Sequence, residues 1–397
     1  MTSRERVVAA LEHRQPDRVP VDLGASESSG IMGIAYNRLK AHLGLQGRTQ
    51  IYDLSQMIAK VEEPVLDVIG ADALPLLIEP RTWRPWTLQD GTPCEVPARL
   101  EIVEWQGGWA VPGSDGLPAA YCPPGGYYFD PVNPPLEDAS SADDIEAGIA
   151  HLESFDWPGY LDESYDDLAR KARCLHNETD RCIVANLWVH VFAAGQILRG
   201  FANFMMDLAG DKLLAHHLMG RLVDCYAPRV EAYIEAVGEH VDVIQVNDDL
   251  GTQNGTQISP DLYREMVKPY HRRLWGMIKR LSGKPLLLHS CGSIYDLIPD
   301  LIEIGVDAIN PVQVSAAKMD GAVLKREFGR DLTFWGGGCD TQHVLGGGTP
   351  EQVRDEVRHR VEQFAEDGGF VFCQVHNIQH NVPPENVMAM YEALGDL

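Results

Sequence analysis

The stretch Pro285–Tyr295, PLLLHSCGSIY, combines a short strand signal with two potential metal ligands. Three consecutive leucines predict a buried strand, and Gly292 marks the turn that ends it. His289 and Cys291 are two residues apart, so their side chains point to the same face of a strand. An imidazole and a thiol presented together suit a soft or borderline metal ion, although a core histidine beside a buried cysteine would give the same pattern.

Strands and helices alternate on both sides of this stretch, which indicates a parallel sheet covered by helices. Besides the leucine strand, the sequence predicts strands near Val19–Leu23 and at Ala73–Ile78, Asp180–Trp188, Val241–Val246, Ala308–Pro311, Leu332–Trp335 and Phe370–Val375. About eight strands favour one (β/α)8 barrel over residues 1–397 rather than an open doubly wound sheet. No GxGxxG or GxxxxGK[ST] nucleotide-binding motif supports the open alternative. Thr82–Val132 is rich in Gly, Pro, Trp and Tyr and alternates with period two, which predicts an antiparallel β-hairpin insertion.

The composition limits the partners that we expect. The net charge is 33 − 58 = −25, which disfavours nucleic acids and anionic membrane surfaces. No apolar run has the length of a membrane span, and the charged N-terminal stretch does not resemble a secretory signal. The eight cysteines are scattered rather than arranged as a disulfide framework. We therefore expect a cytoplasmic protein with reduced thiols, acting on small molecules.

Polar residues follow nearly every predicted strand, at the end of the barrel where active sites of this architecture lie. Any one of them has an ordinary interpretation as a cap or turn residue, but together they predict a functional site. Asp248 and Asp249 are candidates for orienting a substrate or carrying protons. The candidate substrate-binding residues are Asp22, Asn247, Gln253, Asn310, Gln313 and Asn377.

A protein zinc site usually needs at least three ligands, so His289 and Cys291 require a third. Cys339, Cys373 and His376 are the candidates. Cys373 would share a strand face with apolar residues, whereas His376 has the other parity but lies where the strand ends. Cys339 lies in a glycine-rich loop that could bring it to the site.

Four stretches spread over nearly the whole chain resemble the uroporphyrinogen decarboxylase superfamily. They are TSRERVVAALEHRQPDRVPVDLG, HSCGSIYDLIPDLIEIGVDAINPVQ, LKREFGRDLTFWGGGCDTQ and HNIQHNVPPENVMAMYEAL. The resemblance implies a single (β/α)8 barrel. Decarboxylases of this superfamily carry a two-arginine motif after the first strand, whereas the corresponding loop here, LGASESSGIM, contains no Arg.

The other branch of the superfamily, the corrinoid-linked methyltransferases, uses zinc held by a His-x-Cys pair and a Cys near the last strand. This resemblance falls on His289 and Cys291, and His376 replaces the last Cys, with Cys373 as an alternative and Cys339 as a weaker one. It implies a zinc-dependent methyltransferase or demethylase component. The methyl group would move between methylcobalamin on a partner corrinoid protein and a small acceptor such as tetrahydrofolate or a thiol. The alternatives are a decarboxylase-like lyase with a different small substrate and a non-catalytic ligand-binding barrel.

Overall fold

The computed structural model describes residues 1–113, 116–154 and 161–395. Its central sheet contains seven strands, and every neighbouring pair in it is parallel. In chain order, which is also the spatial order, these strands are Ala73–Leu76, Cys182–Asn186, Val243–Asn247, Leu286–His289, Ala308–Asn310, Thr333–Trp335 and Phe370–Val371. They are buried along nearly their whole length, as expected for a parallel sheet with helices outside it.

The segment around Val21 closes this sheet into a barrel. Val21 forms a parallel bridge with Phe372, and the backbone N–H of Asp22 donates to the Phe372 carbonyl at 2.8 Å. On its other side, the Val21 carbonyl accepts a 2.7 Å hydrogen bond from the Asp72 N–H, next to the second strand. Because this segment joins the two edge strands, it acts as the first of eight strands, and the predicted (β/α)8 barrel is confirmed.

Helices cover the outside of the barrel. In chain order they are Ser3–Leu11, Gly33–His42, Glu63–Ile69, Ala142–Ala147, Ile149–Ser154, Tyr165–Glu178, Phe192–Arg199, Phe201–Gly210, Lys212–Val237, Pro260–Leu262, Lys268–Ser282, Ile298–Glu303, Gly321–Phe328, Pro350–Phe364 and Pro384–Gly395. A π-helical stretch, Tyr263–Val267, joins two of them, and another occupies Thr341–Leu345. Side-chain caps begin several helices; Ser164 and Thr349, for example, each form a capping box.

The first helix, Ser3–Leu11, closes the N-terminal end of the barrel. Val7 and Ala10 pack against the barrel interior, and the Arg6 guanidinium donates to the buried Asp72 carboxylate at 2.6 Å. This end is therefore sealed by apolar packing and a buried ion pair. The C-terminal ends of the strands are left for a functional site, which is where barrel enzymes place it.

The insertion is larger than the single hairpin that the sequence predicts. Residues 82–132, of which 114 and 115 lie outside the described residues, contribute strands to two four-stranded sheets. One sheet contains Ile58–Ala59, Thr49–Asp53, Pro93–Pro97 and Trp83–Thr87, and the other contains Val103–Trp105, Gly108–Pro112, Pro118–Cys122 and Asp130–Pro131. The insertion contains antiparallel hairpins and extends beyond one of them, because the first sheet includes strands that precede the insertion, and one of its pairings is parallel.

No helix in the described part of the chain combines the length and the apolar character needed to cross a bilayer.

Candidate metal centre

His289 and Cys291 lie where the fifth barrel strand ends. His289 is the last residue of that strand, and Cys291 follows in the loop. Leu287 packs in the barrel interior, so the alternation of side chains turns His289 inward as well. The Cys291 Sγ lies 3.5 Å from His289 Nε2. One nitrogen and one sulfur are therefore presented to the same small volume at the C-terminal end of the barrel.

His376 joins this pair through an unusual backbone conformation. The eighth strand pairs regularly only over Phe370–Val371, so strand alternation has lapsed before residue 376. His376 has a φ of 66°, in the left-handed region that non-glycine residues rarely adopt. The ligand atoms of His289, Cys291 and His376 all lie within 4.8 Å of one another, and the two imidazole centroids are 5.6 Å apart. We call these three residues the His/Cys/His cluster.

The other two candidates for a third ligand lie elsewhere. Cys373 is fully buried in the barrel interior, and its Sγ is 3.7 Å from the side-chain nitrogen of Asn310. Cys339 is fully buried in the main hydrophobic core. Of the three residues that the sequence offers as a third ligand, the structure brings only His376 to His289 and Cys291.

Asn310 fixes the orientation of the His289 imidazole. Its Oδ1 lies 2.8 Å from His289 Nδ1 and also accepts a hydrogen bond from the Ser28 hydroxyl. Its Nδ2 donates to the Trp335 carbonyl at 2.9 Å, so the amide oxygen is the atom that faces His289. His289 therefore carries its proton on Nδ1, which leaves the Nε2 lone pair directed at Cys291. Ligating histidines in metal sites are commonly held in this way.

The electrostatics of the cluster fit a bound cation. Burial, reinforced by the neighbouring His289, lowers the pKa of His376 to about 4, so this imidazole is neutral at physiological pH. Burial also raises the pKa of the Cys291 thiol, and the nearby Asp249 carboxylate adds to that effect. A metal ion would reverse this last shift by stabilising the thiolate. Two neutral imidazole nitrogens and one sulfur form a donor set that zinc prefers, so the residues present fit that metal.

The adjacent carboxylates Asp248 and Asp249 have different environments. Asp249 Oδ1 accepts a 2.8 Å hydrogen bond from the Cys291 N–H and lies 3.7 Å from His289 Nε2, and its side chain is 46% exposed. The structure therefore brings Asp249 to the cluster but not Asp248. Asp248 is buried beneath the start of the helix Phe192–Arg199, where three backbone N–H groups donate to it at 2.7–2.8 Å.

His271 supplies the fourth donor to Asp248, at 2.8 Å from its Nε2. Burial would raise the pKa of this carboxyl, but the hydrogen bond from His271 and its charge outweigh burial and lower it. The arrangement is that of a buried structural anion at a helix N-terminus.

The predicted substrate-binding residues are distributed unevenly around the cluster. Asn310 and Gln313 are close to it: the Gln313 side-chain oxygen accepts from the Gly292 N–H at 2.8 Å, in the turn after Cys291. Gln253 is exposed and accepts from Gln313 at 2.8 Å. Asn377 follows the third ligand candidate and donates to Gln56 at 2.7 Å.

Asp22 and Asn247 lie inside or at the rim of the barrel. Asp22 is fully buried and accepts 2.8 Å and 2.9 Å hydrogen bonds from the Trp335 indole and the Ala25 N–H. Burial raises its pKa to about 6. Asn247 pairs in register with His289 across neighbouring strands and accepts from Gln245 at 2.9 Å.

Sequence reasoning missed an acidic group in the loop after the first strand and in the segment Thr49–Asp53. The Trp188 indole donates to Glu27 at 2.9 Å. Burial, with the nearby Asp53 carboxyl, raises the pKa of Glu27 to about 7. The Tyr52 hydroxyl is buried with no hydrogen-bond partner among the described residues, and so is one oxygen of Asp53. Glu27 lies in a loop, and Tyr52 and Asp53 end a strand that the sequence analysis did not predict, so no periodic pattern indicated this group.

Two buried amides in the barrel interior were also missed. Asn186 and Gln245 are paired in register on adjacent strands, two residues beyond the interior-facing Val184 and Val243. In the part of the chain that the structure describes, their side-chain oxygens have no hydrogen-bond partner. Each amide follows apolar residues inside a predicted strand, and a polar residue in that position was an available signal.

The fold and the cluster define a class of protein: a (β/α)8 barrel with a candidate metal centre at the C-terminal ends of its strands. Residues 189–397 match the family model described as uroporphyrinogen decarboxylase (URO-D). That is more than half of the chain, and the chain belongs to this family. The resemblance drawn from the sequence motifs is thereby confirmed.

Curated relatives and a solved structure add two kinds of likeness. The chain is 30% identical over 136 residues to a methylated-thiol–coenzyme M methyltransferase of Methanosarcina mazei, covering 34% of this chain and 33% of the relative. It is 28% identical over 193 residues to a uroporphyrinogen decarboxylase of Xanthomonas campestris, covering 46% and 50%. These alignments therefore span only a third to a half of the relatives' lengths.

A solved methyltransferase from Methanosarcina mazei aligns over 100% of this chain and 99% of its own, with a TM-score of 0.59 and 18% identity. At that identity the likeness shows a shared fold.

Proposed function

We propose that this protein is a zinc-dependent methyltransferase, or a demethylase component, acting between a corrinoid protein and a small acceptor such as a thiol or tetrahydrofolate. The observation that carries the proposal is the His/Cys/His cluster, with its ligand atoms within 4.8 Å of one another. The methylcobalamin would be carried by the partner, so this chain needs to provide a metal site and an acceptor site. The likeness to a methylated-thiol–coenzyme M methyltransferase supports this class over the lyase alternative.

Zinc bound by His289, Cys291 and His376 would supply a Lewis acid that keeps an acceptor thiol anionic near neutral pH. The chain's own residues prepare that site. Asn310 holds the proton of His289 on Nδ1 and leaves Nε2 free to bind. The burial that lowers the pKa of His376 keeps its imidazole in the neutral, ligating form.

Asp249 is the residue that we assign to proton transfer. Its Oδ1 accepts from the backbone N–H of Cys291, which positions the carboxylate beside the cluster. Because the side chain is 46% exposed, it can pass a proton from the acceptor to solvent. Asp248 has no such role in this proposal, since its four hydrogen bonds and its burial hold it under a helix.

The loop after the first strand supports a methyltransferase rather than uroporphyrinogen decarboxylation. It contains Glu27 and no Arg, so it offers negative rather than positive charge to a polycarboxylate substrate.

The test is metal analysis of the purified protein and of five alanine variants, together with methyl transfer from free methylcobalamin to a thiol. We expect about one zinc per chain in the parent protein. Alanine at position 289, 291 or 376 should abolish both zinc content and methyl transfer, since each removes one of three ligands.

Cys339→Ala and Cys373→Ala are the matched controls, because each removes a buried thiol outside the cluster. Both should retain zinc. If Cys373→Ala loses zinc while His376→Ala keeps it, the proposed third ligand is wrong. A parent protein that binds no metal after refolding or reconstitution would overturn the proposed function.

A further inference from the structure

The acidic group formed by the loop after the first strand and the segment Thr49–Asp53 has the properties of a substrate subsite. It consists of Glu27, Asp53 and Tyr52, which come from the loop after the first strand and from the segment Thr49–Asp53. Among the described residues, no Lys or Arg forms an ion pair with either carboxyl. Both carboxyls are half-buried, and the charge of the nearby His190 lowers the pKa of Glu27 but does not offset the effect of burial. A carboxyl withdrawn from water without a Lys or Arg partner is costly, so its presence calls for an explanation beyond stability.

Unpartnered buried groups provide an independent indication that this part of the protein binds a ligand. Tyr52 is 3% exposed, and its hydroxyl has no hydrogen-bond partner in the described structure. Burial raises the pKa of this hydroxyl, and the carboxyls of Glu27 and Asp53 add to the shift, which places the hydroxyl among them. Native proteins satisfy most buried polar groups, and a bound molecule would do so here.

The barrel interior adds two acceptors of the same kind. The side-chain oxygens of Asn186 and Gln245 are buried and unpartnered within the described residues. The amide of Asn186 is oriented by the donation of its Nδ2 to the Ala25 carbonyl at 3.1 Å, so the oxygen is the free atom. The unsatisfied atoms are thus mostly acceptors, which would be satisfied by a ligand rich in hydrogen-bond donors.

Two contacts connect this group to the metal centre. Ser28, the neighbour of Glu27, donates to Asn310, the same amide that orients His289. Gln56, three residues after Asp53, accepts a 2.7 Å hydrogen bond from Asn377, the neighbour of His376. The segments that carry the acidic group therefore contact the supports of both histidines of the cluster.

We propose that Glu27, with Asp53 and Tyr52, forms the subsite for the polar end of the substrate, and that it selects an amine or ammonium group over an anionic group. At about pH 8, above the pKa of about 7 of Glu27, the ionised carboxylate would repel a carboxylate or sulfonate, whereas an N–H donor would satisfy the acceptors that the fold leaves free. This inference rests on the proposed function, since it places the substrate's reactive end at the metal.

Three thiols of nearly equal length test the proposal on the zinc-loaded full chain: 2-aminoethanethiol, 2-mercaptoethanol and 2-mercaptoethanesulfonate. Their affinities are measured by isothermal titration calorimetry, without turnover. We expect the aminothiol to bind at least about tenfold more tightly than the neutral thiol, and the sulfonate to bind most weakly.

Glu27→Gln should bring the aminothiol and the neutral thiol to within about threefold of each other, because a neutral amide keeps the Trp188 hydrogen bond but not the charge. Glu27→Lys should favour the sulfonate. Glu101→Gln makes the same change of charge at an exposed position and should leave the order of affinities as in the parent.

The possible failures are distinguishable. If all three thiols bind with equal affinity, or if Glu27→Gln leaves the preference for the aminothiol intact, the proposed subsite is wrong, but the proposed binding of thiols at the metal is not contradicted. If no thiol binds to the zinc-loaded protein, both the proposed subsite and the proposed thiol chemistry are wrong.

Discussion

Neighbouring residues of the same type have unrelated roles in this protein, and their hydrogen bonds decide which role each has. Asp248 accepts three backbone N–H donors and one from His271, all at 2.7–2.8 Å, while it is 1% exposed. Asp249 lies beside His289 and Cys291 and is 46% exposed. The first carboxylate belongs to the scaffold and the second to the site.

Changing each of these carboxylates to the amide should separate stability from metal binding. Asp248→Asn should lower the free energy of unfolding by about 3 kcal/mol, because its amide nitrogen cannot accept from the buried helix N–H groups. Zinc bound per folded chain should not change. Asp249→Asn should stay within about 1 kcal/mol of the parent in stability but weaken zinc binding about tenfold, since it removes a negative charge beside the ligands.

Urea denaturation and competition with a chromophoric chelator measure the two effects. The assignment of roles is contradicted if Asp249→Asn is the variant that unfolds easily.

Glu27 should make stability depend on pH. Its pKa is about 7 in the folded protein, compared with an ordinary value of 4.5, chiefly because it is buried. Between these values the unfolded chain has released the proton while the folded protein still holds it, so stability falls as pH rises through this window. Relative to Glu27→Gln, the parent should lose at most about 3 kcal/mol between pH 4.5 and pH 8. Urea titrations of both proteins at several pH values measure the difference, and a constant difference would rule out a raised pKa.

At the scale of elements, the loop after the eighth strand connects the metal centre to the insertion. Tyr127 stacks on His380 with ring centroids 3.7 Å apart, and the Tyr128 hydroxyl donates to Gln379. Both partners lie within four residues of His376, in a loop that also contacts Gln56 and Gly30. The insertion therefore helps to fix the position of the loop that carries the third ligand candidate.

Removing these two contacts should weaken metal binding without unfolding the barrel. The double variant Tyr127→Ala with Tyr128→Phe should weaken zinc binding about tenfold, because it removes a ring stack and a hydrogen bond. Tyr121→Phe is the matched control: it removes an exposed hydroxyl of the same insertion, which contacts only the Gln106 carbonyl among the described residues. If the double variant binds zinc as tightly as this control, these two contacts with the insertion do not contribute to the position of His376.

The same elements show which features of the fold and the site could be predicted from the sequence. The alternation of strands and helices was sufficient to predict the barrel, and the period of two was sufficient to predict that His289 points inward. Cys291 lies beyond the end of the strand and still meets His289, as predicted. Alternation carries no information once a strand has ended, so it could not separate Asp248 from Asp249 or assign His376, which depends on a φ of 66°. Glu27 lies in a loop, and its environment arises from segments far apart in the chain.

At the scale of the whole molecule, the cluster links two distant parts of the barrel. His289 and Cys291 lie at the end of the fifth strand and His376 follows the eighth, so the complete donor set exists only when the sheet is closed. A metal ion that binds this set binds the folded chain in preference to the unfolded one. It therefore stabilises the whole fold by mass action.

Metal removal should lower the melting temperature. With zinc at about 100 times its dissociation constant, the stabilisation is about 2.7 kcal/mol, which for a chain of this size corresponds to about 3 °C. Differential scanning fluorimetry with and without a strong chelator measures the shift. Cys373→Ala should keep it and His289→Ala should lose it; a chelator effect of equal size in both variants would mean that the metal binds elsewhere.

The chain position of each group has an evolutionary consequence. His289, Cys291 and His376 all lie within residues 189–397, the segment that matches the family, whereas Glu27, Tyr52 and Asp53 lie before it. On the proposed function and subsite, reactivity and recognition of the substrate's polar end would be encoded in successive parts of one gene. A lineage could then alter substrate preference through the first part while the second keeps the metal centre, and recombination near residue 189 would be a short route to a new substrate.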